Sequence, residues 1–435
     1  MKSISRRHFM KTGAAVALAS TVVARPGLAQ SAAPSSKLNI AVIGPANRGA
    51  ASLAEMLKEN VVALCDVDAR YLEAAKGKAP SAQLFSDFRQ MFEKVKDIDG
   101  VCVCTPDHTH AAPSVMAMRA GIHCYCEKPL AHDVRECRVM QQIAEEKKLV
   151  TQMGTQIHAG ENYRRVVELV QSGVVGPIEE VHVWCGKGWG LPPNATRPTD
   201  TPPVPDYLNW DAWIGPAQMR PYHPRYVPAH WRRWWAFGNG TIGDMACHYM
   251  DLPFWALELR DCLTAEAIDG PPVNLEGCPL NLTVKYTFPA REKFPACTLY
   301  WYDGDKRPAA LKQYGVPERG AGVLFVGKEG VMFADYGSHA LYPQEKFRDF
   351  KRPDKSIPAS IGHHNEWLQA IRDNRPEDCT CKFGYSGRLT ETVLLGTVAY
   401  RTGKELRWDA DAMKVTNVPE ANDLIAIEYR DGWIL

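Results

Sequence analysis

An apolar stretch over residues 38–44 runs straight into Gly44-Pro45-Ala46-Asn47-Arg48-Gly49, and a helical pattern over 50–58 follows. Strand, glycine-bounded turn and helix in that order commit this part of the chain to a parallel sheet, because parallel strands need a crossover helix between them. The alternation continues. Strands are expected over 61–66, 100–105, 122–126 and 149–153, and helices over 71–78, 113–120 and 134–146. After a helix over 162–171 the pattern changes. Residues 178–184 and 280–286 alternate apolar and polar, and 297–302 and 322–326 read as strands, which implies a largely antiparallel open sheet. Between them lies a Pro- and Trp-rich segment, 191–237, too irregular for a sheet and long enough to be functional. The expected fold class is α/β: a doubly wound parallel sheet over 37–157, then an α+β domain over 158–435 with that insertion and a C-terminal extension.

The first thirty residues stand apart from this plan. Ser5-Arg6-Arg7-His8-Phe9-Met10-Lys11 resembles the twin-arginine export signal, an apolar run covers 13–24, and Gly27-Leu28-Ala29 offers small residues for cleavage. The run is shorter than the ~20 residues a bilayer span needs. Residues 1–30 therefore read as a signal peptide, with the twin-arginine translocation machinery as a partner and the bacterial periplasm, or otherwise the exterior, as destination. That route carries folded proteins, so any cofactor is expected to be loaded inside and held tightly. The 51 basic and 50 acidic residues of this 435-residue chain leave a net charge of +1, which argues against a nucleic-acid partner. Thirteen cysteines include the C-x-C pairs Cys102/Cys104, Cys124/Cys126 and Cys379/Cys381. No C-x-x-C zinc spacing occurs, so no metal site is expected, and buried free thiols are favoured over disulfides.

The turn at Gly44 is a G-x-A-x-x-G form of the dinucleotide fingerprint. Gly44 permits the sharp turn, Gly49 permits close helix–strand packing, and Ala46, Asn47 and Arg48 complete the cradle. Asp66 ends the second strand, 22 residues after Gly44, where a carboxylate can take both ribose hydroxyls. It favours NAD over NADP, while Arg70 keeps NADP open. Glu127-Lys128-Pro129 follows the strand over 122–126. A positioned lysine beside a nicotinamide is what alcohol–ketone hydride chemistry requires, since it orients the substrate oxygen.

With Thr105-Pro106-Asp107-His108-Thr109-His110 between the fingerprint and Glu127-Lys128-Pro129, the chain resembles the glucose–fructose oxidoreductase/inositol dehydrogenase (Gfo/Idh/MocA) family over about residues 37–435. The resemblance implies a Rossmann fold for the first domain and an open-sheet second domain through which copies associate as a homo-oligomer. It implies cofactor contact for Thr105, Pro106, His108, His110, Glu127, Lys128 and Gln156, and for Lys128 the catalytic lysine role as well. It also places Tyr163 near nicotinamide and substrate.

Downstream, Asp244 and His248 are four residues apart after the turn Gly238-Asn239-Gly240, so a helix would project both from one face. Family dehydrogenases carry such a pair, with histidine as acid/base and aspartate orienting it or the substrate. Asp251 is open between that chemistry and a bracing role. Trp231, Arg232, Arg233, Trp234 and Trp235 precede the turn, and aromatic faces and guanidinium groups suit sugar rings and hydroxyls. Arg233 and Trp235 are the expected substrate ligands among them. The function expected is an NAD(P)-dependent oxidoreductase acting on a secondary hydroxyl of a sugar, glycoside or cyclitol. The rivals are an NAD-dependent glycosidase that oxidises transiently before elimination, and a non-catalytic sugar-binding protein.

Overall fold

The computed structural model describes residues 37–435; the expected signal peptide over 1–30 lies outside them. Six parallel strands, β1 (Asn39–Ile43), β2 (Asn60–Cys65), β3 (Gln83–Phe85), β4 (Gly100–Val103), β5 (His123–Cys126) and β6 (Thr151–Met153), form one sheet in the order β3-β2-β1-β4-β5-β6. This is the doubly wound order whose strand sequence reverses beside β1, and the crevice there is where dinucleotides bind. Strand β3 and the helix Phe88–Lys94 were not expected from sequence. A three-residue strand is too short to carry a period.

Strand β1 shows why the sheet must be covered on both faces. Ile40 and Val42 enter one apolar cluster, and Ala41 and Ile43 enter another. The first cluster is completed from far along the chain. Trp367, Leu368 and Ile371, on the helix His363–Asp373, pack there, and a Cβ on Gly100 would lie 2.8 Å from the Trp367 ring. The C-terminal extension thus helps to build the N-terminal sheet.

The second sheet has nine strands: β7 (Ile178–Cys185), β8 (Thr264–Asp269), β9 (Thr283–Phe288), β10 (Cys297–Asp303), β11 (Ala321–Gly327), β12 (Gly330–Ala334), β13 (His339–Tyr342), β14 (Leu406–Asp409) and β15 (Lys414–Val415). It is antiparallel except for the central pair β7 and β10. The long helix Phe383–Thr402 lies against it and against the helix Val134–Glu146, so both sheets share one core. All thirteen cysteines are free thiols, and Cys102 and Cys104 approach only to 3.6 Å between sulfurs.

The insertion folds around its own aromatic cluster of Trp210, Trp213, Tyr222, Tyr226, Trp231, Trp234 and Phe237. It is tied to the end of β2 by backbone bonds: Ala69 N–H donates to the Tyr207 carbonyl and Asn209 N–H to that of Val67, each at 2.8 Å. Its placement roofs the crevice beside β1.

Candidate active site

The crevice is a cavity of about 940 Å³ that runs from the end of β2 to the turn holding Asp244. That volume falls in the range of ligand pockets. At its inner edge Gly44 has φ +76°, and a Cβ there would sit 2.8 Å from the Cys104 carbonyl oxygen. A Cβ on Gly49 would meet the Gly44 carbonyl oxygen at 1.8 Å, so both positions require glycine. Ala46, Asn47 and Arg48 line the cavity, whereas Gly49 lies behind it as a packing residue.

At the β2 end, Asp66 faces the cavity and accepts the Asp68 N–H at 3.0 Å. Burial pushes its carboxyl up to about 7. Arg70 is engaged elsewhere: its guanidinium pairs with Asp68 at 2.7 Å and lies 3.5 Å from the Tyr207 ring centroid. A carboxyl that faces the cavity from the end of the second strand can take ribose hydroxyls. The cradle, Asp66 and the cavity volume together fit a dinucleotide.

Further in, Arg48 Nε donates to Glu127 Oε1 at 3.1 Å, and Gln156 Nε2 donates to the same oxygen at 2.8 Å. Burial raises the Glu127 pKa even so, against the pull of Arg48 and Lys128. Thr105 and Pro106 line the cavity; Thr105 Oγ1 donates to the Thr109 carbonyl at 2.9 Å. The His110 ring is held between the Pro129 carbonyl, 2.7 Å from Nδ1, and the Thr105 carbonyl, 2.8 Å from Nε2. Burial lowers its pKa to about 4, so it is neutral and donates to one of them.

The far end holds Lys128, Arg232, Asp244 and His248. Lys128 Nζ donates to Asp244 Oδ1 and to the Asp244 carbonyl, both at 2.7 Å, and Arg232 Nε donates to Asp244 Oδ1 at 3.2 Å. Burial pushes the Asp244 carboxyl up, but Lys128 and Arg232 outweigh it and hold it well below the usual carboxylate range. Asp244 lies in a π-helical turn, Ile242–Ala246, and His248 in the helical turn after it. Burial, with the charge of Lys128, keeps the His248 ring neutral to well below its ordinary pKa. Its Nδ1 is buried without a partner, which leaves Nε2 as the nitrogen able to serve the cavity. Asp244 makes no hydrogen bond to His248; the aspartate is occupied by the two cations.

Four expected contacts lie elsewhere. His108 points away from the cavity, donating from Nε2 to the Trp213 carbonyl at 2.9 Å and packing on Phe237, so it joins the first sheet to the insertion. Tyr163 is fully buried, and its hydroxyl donates to the His248 carbonyl at 3.1 Å. It sets the histidine from behind. Trp235 donates to the Asn274 carbonyl at 2.9 Å within the core, and Arg233 lies over Trp189 outside the lining. Neighbours in a short 3-10 turn, His230–Arg233, point in different directions, so Trp231 and Arg232 face the cavity in their place.

Trp189, Tyr336 and Asp107 also line this end without having been singled out. Asp107 sits inside the motif that marks Thr105 and His110, which is the one signal that could have found it. Asp251 is a brace: it takes His158 Nδ1–H at 2.9 Å and the Tyr385 hydroxyl at 2.8 Å, fully buried. His363 and His364 stand behind β5 and β6, where His363 Nε2 donates to the Met153 carbonyl and His364 stacks on Tyr125.

Residues 38–155 match the model of the GFO_IDH_MocA oxidoreductase family, NAD-binding Rossmann fold, and residues 159–288 match that family's C-terminal alpha/beta domain. Residues 3–23 match the twin-arginine translocation pathway signal sequence, which directs the chain to export into the periplasm. Inositol 2-dehydrogenase of Salmonella typhimurium is 31% identical over 124 residues, 28% of this chain and 37% of that enzyme. A glycosyl hydrolase family 109 protein of Stenotrophomonas maltophilia is 31% identical over 206 residues, 43% of this chain and 42% of that protein. Each match spans less than half of the relative's own length. The crystal structure of the WlbA dehydrogenase of Chromobacterium violaceum, in complex with NADH and UDP-GlcNAcA, superposes with a TM-score of 0.59 at 17% identity, over 86% of this chain and 97% of that one. At that identity the likeness is one of fold.

Proposed function

Since the chain belongs to the Gfo/Idh/MocA oxidoreductase family, we propose that it is an exported dehydrogenase of a secondary hydroxyl on a sugar, glycoside or cyclitol, with NAD held tightly in the cavity. The observation that carries this reading is the group of Lys128, Asp244 and His248 at one end of the cavity whose other end carries Asp66. A bound nicotinamide supplies the hydride acceptor. Lys128, fixed by Asp244, presents a positive charge to the hydroxyl oxygen and favours its loss of a proton. His248, neutral through burial, takes that proton. Asp244 acts through the lysine it anchors rather than through the histidine. Gly44, Ala46, Asn47, Arg48, Asp66, Thr105, Pro106, His110, Glu127 and Gln156 hold the dinucleotide along the cavity, from the β2 end to this one.

Tight retention is supported by the insertion, which roofs the β2 end, and by Trp433, which lines the cavity from the C-terminal tail. NAD in preference to NADP is supported by the Arg70–Asp68 pair. Release of nucleotide on denaturing the purified protein tests retention. Nicotinamide fluorescence of the native protein, followed while sugars and glycosides are added, tests the reaction, and the product's mass names the carbon oxidised. Recovery of nucleotide-free protein that, supplied with NAD, reduces none of it with any carbohydrate sinks the reading.

The likeness to glycosyl hydrolase family 109 proteins favours a second reading, a glycosidase whose cofactor ends each turnover unchanged. Released aglycone without keto-sugar or reduced nicotinamide selects it.

A further inference from the structure

Asp107 opens the short turn Asp107–Thr109 that leads into the helix Ala111–Arg119. It is only 4% exposed, and what exposure it has is to the cavity. Its carboxyl abuts the turn that carries Asp244: a Cβ on Gly243 would lie 3.8 Å from Oδ2. Whereas Asp244 Oδ1 is taken by Lys128 and Arg232, the Asp107 carboxyl receives no hydrogen bond from any other described residue. Two other buried carboxyls are satisfied internally, Asp251 by His158 and Tyr385, and Glu136 by Tyr429 and two backbone N–H groups, whereas the unpartnered oxygens of Glu127 and Asp303 are sealed from solvent. The backbone N–H of Asp107 itself offsets only part of the cost of burying its carboxyl, so a carboxyl otherwise open toward a cavity is suited to a donor that enters that cavity.

The charged and titratable groups around Asp107 are Lys128, Arg232, Asp244 and the thiols of Cys247 and Cys278. They belong to the reacting end, away from the turn at Gly44 and from Asp66. We infer that Asp107 is a substrate-binding carboxylate, accepting a hydrogen bond from a hydroxyl of a neutral carbohydrate held beside Lys128. The inference rests on the proposed dehydrogenase reading for the position of the substrate. Burial pushes the Asp107 carboxyl up to about 7, Arg232 and Lys128 oppose that rise, and Asp244 adds to it. A hydroxyl donor stabilises the charged form and draws the pKa back down. Substrate binding is therefore expected to weaken as pH falls below about 7.

The test uses the purified protein with its bound cofactor and the best carbohydrate from the fluorescence screen, comparing wild type with Asp107→Asn and Asp107→Ala. A charge-assisted hydrogen bond predicts a half-saturating concentration about 10- to 100-fold higher in both variants. Maximal rate and nucleotide content are expected to stay within about threefold, and the rise in half-saturation below pH 7 is expected to vanish in Asp107→Asn. Thermal melting checks that both variants are folded. Unchanged half-saturation in folded variants overturns the inference. So does a loss of bound nucleotide with unchanged half-saturation, which would assign the carboxyl to the cofactor. If no carbohydrate reduces the wild type, calorimetric titration of the same sugars decides. Binding weakened in Asp107→Asn upholds Asp107 while the dehydrogenase reading falls, and absence of all binding removes both.

Discussion

Lys128 Nζ lies 2.7 Å from both Oδ1 and the backbone carbonyl of Asp244, a residue 116 positions later in the chain. The lysine follows β5 of the first sheet, and the aspartate sits in a turn that packs against the long helix Phe383–Thr402. Their contact fixes the ammonium at the far end of the cavity, with each side chain about 10% exposed. A charge held so firmly in a partly dry site stores little reorganisation, which is the condition for useful electrostatic stabilisation.

Lys128→Ala should lower turnover by roughly 10²- to 10⁴-fold, the range of a lost positioned acid–base group. Bound nucleotide should remain. Single-turnover reduction of that nucleotide separates the two effects, and normal turnover in the variant would remove Lys128 from the mechanism.

Cofactor choice should follow the Asp66, Asp68 and Arg70 arrangement. Replacing both aspartates by serine leaves a hydroxyl for the helix cap while freeing Arg70. NAD affinity is expected to fall about 10- to 100-fold and NADP affinity to rise. Calorimetric titration of nucleotide-stripped protein reads both, and an unchanged preference would mean that Asp66 does not meet the ribose.

Trp231 and Trp235 should behave differently despite their closeness in sequence. Trp231 lines the cavity, so Trp231→Ala is expected to raise KM about tenfold. Trp235 packs in the core, so Trp235→Ala should destabilise by about 3–5 kcal/mol and leave KM near wild type. Urea unfolding together with steady-state kinetics checks the pair.

The stability of the protein should fall in mild acid partly through His363. Burial lowers the pKa of its ring to about 3 in the folded chain, while the unfolded chain keeps the ordinary value near 6.5. Below pH 6.5 the unfolded state therefore binds a proton that the folded state does not. The contribution is complete above pH 6.5 and erodes as pH falls toward 3. In His363→Gln the difference in unfolding free energy between pH 7 and pH 5 should shrink, as measured by urea titration at the two values.

Much of the site was legible because its residues sit in short motifs whose local geometry is self-contained. Gly44 and Gly49 are required by contacts within a few residues, and Asp66 and Lys128 stand at the ends of strands that period and length identify. Where local geometry ran out, the reading failed in an instructive way. A helical spacing joins Asp244 to His248 on paper, yet the aspartate is captured by Lys128 and Arg232, and the intervening turn is π-helical. Tyr163 and His108 were expected at ligands and act on backbone carbonyls instead.

The amino-acid sequence by itself determined the parallel sheet, the nucleotide turn, the lysine and the export signal, because each depends on contacts or recognition within a few neighbouring residues. Only the tertiary structure decided which of Trp231, Arg232, Arg233 and Trp235 faces the cavity and that Asp107 is open to it. It also revealed that the helix His363–Asp373 returns to cover the first sheet. Those outcomes depend on side chains brought together across tens to hundreds of residues, where burial and charge compensation select one partner among several that the chain offers.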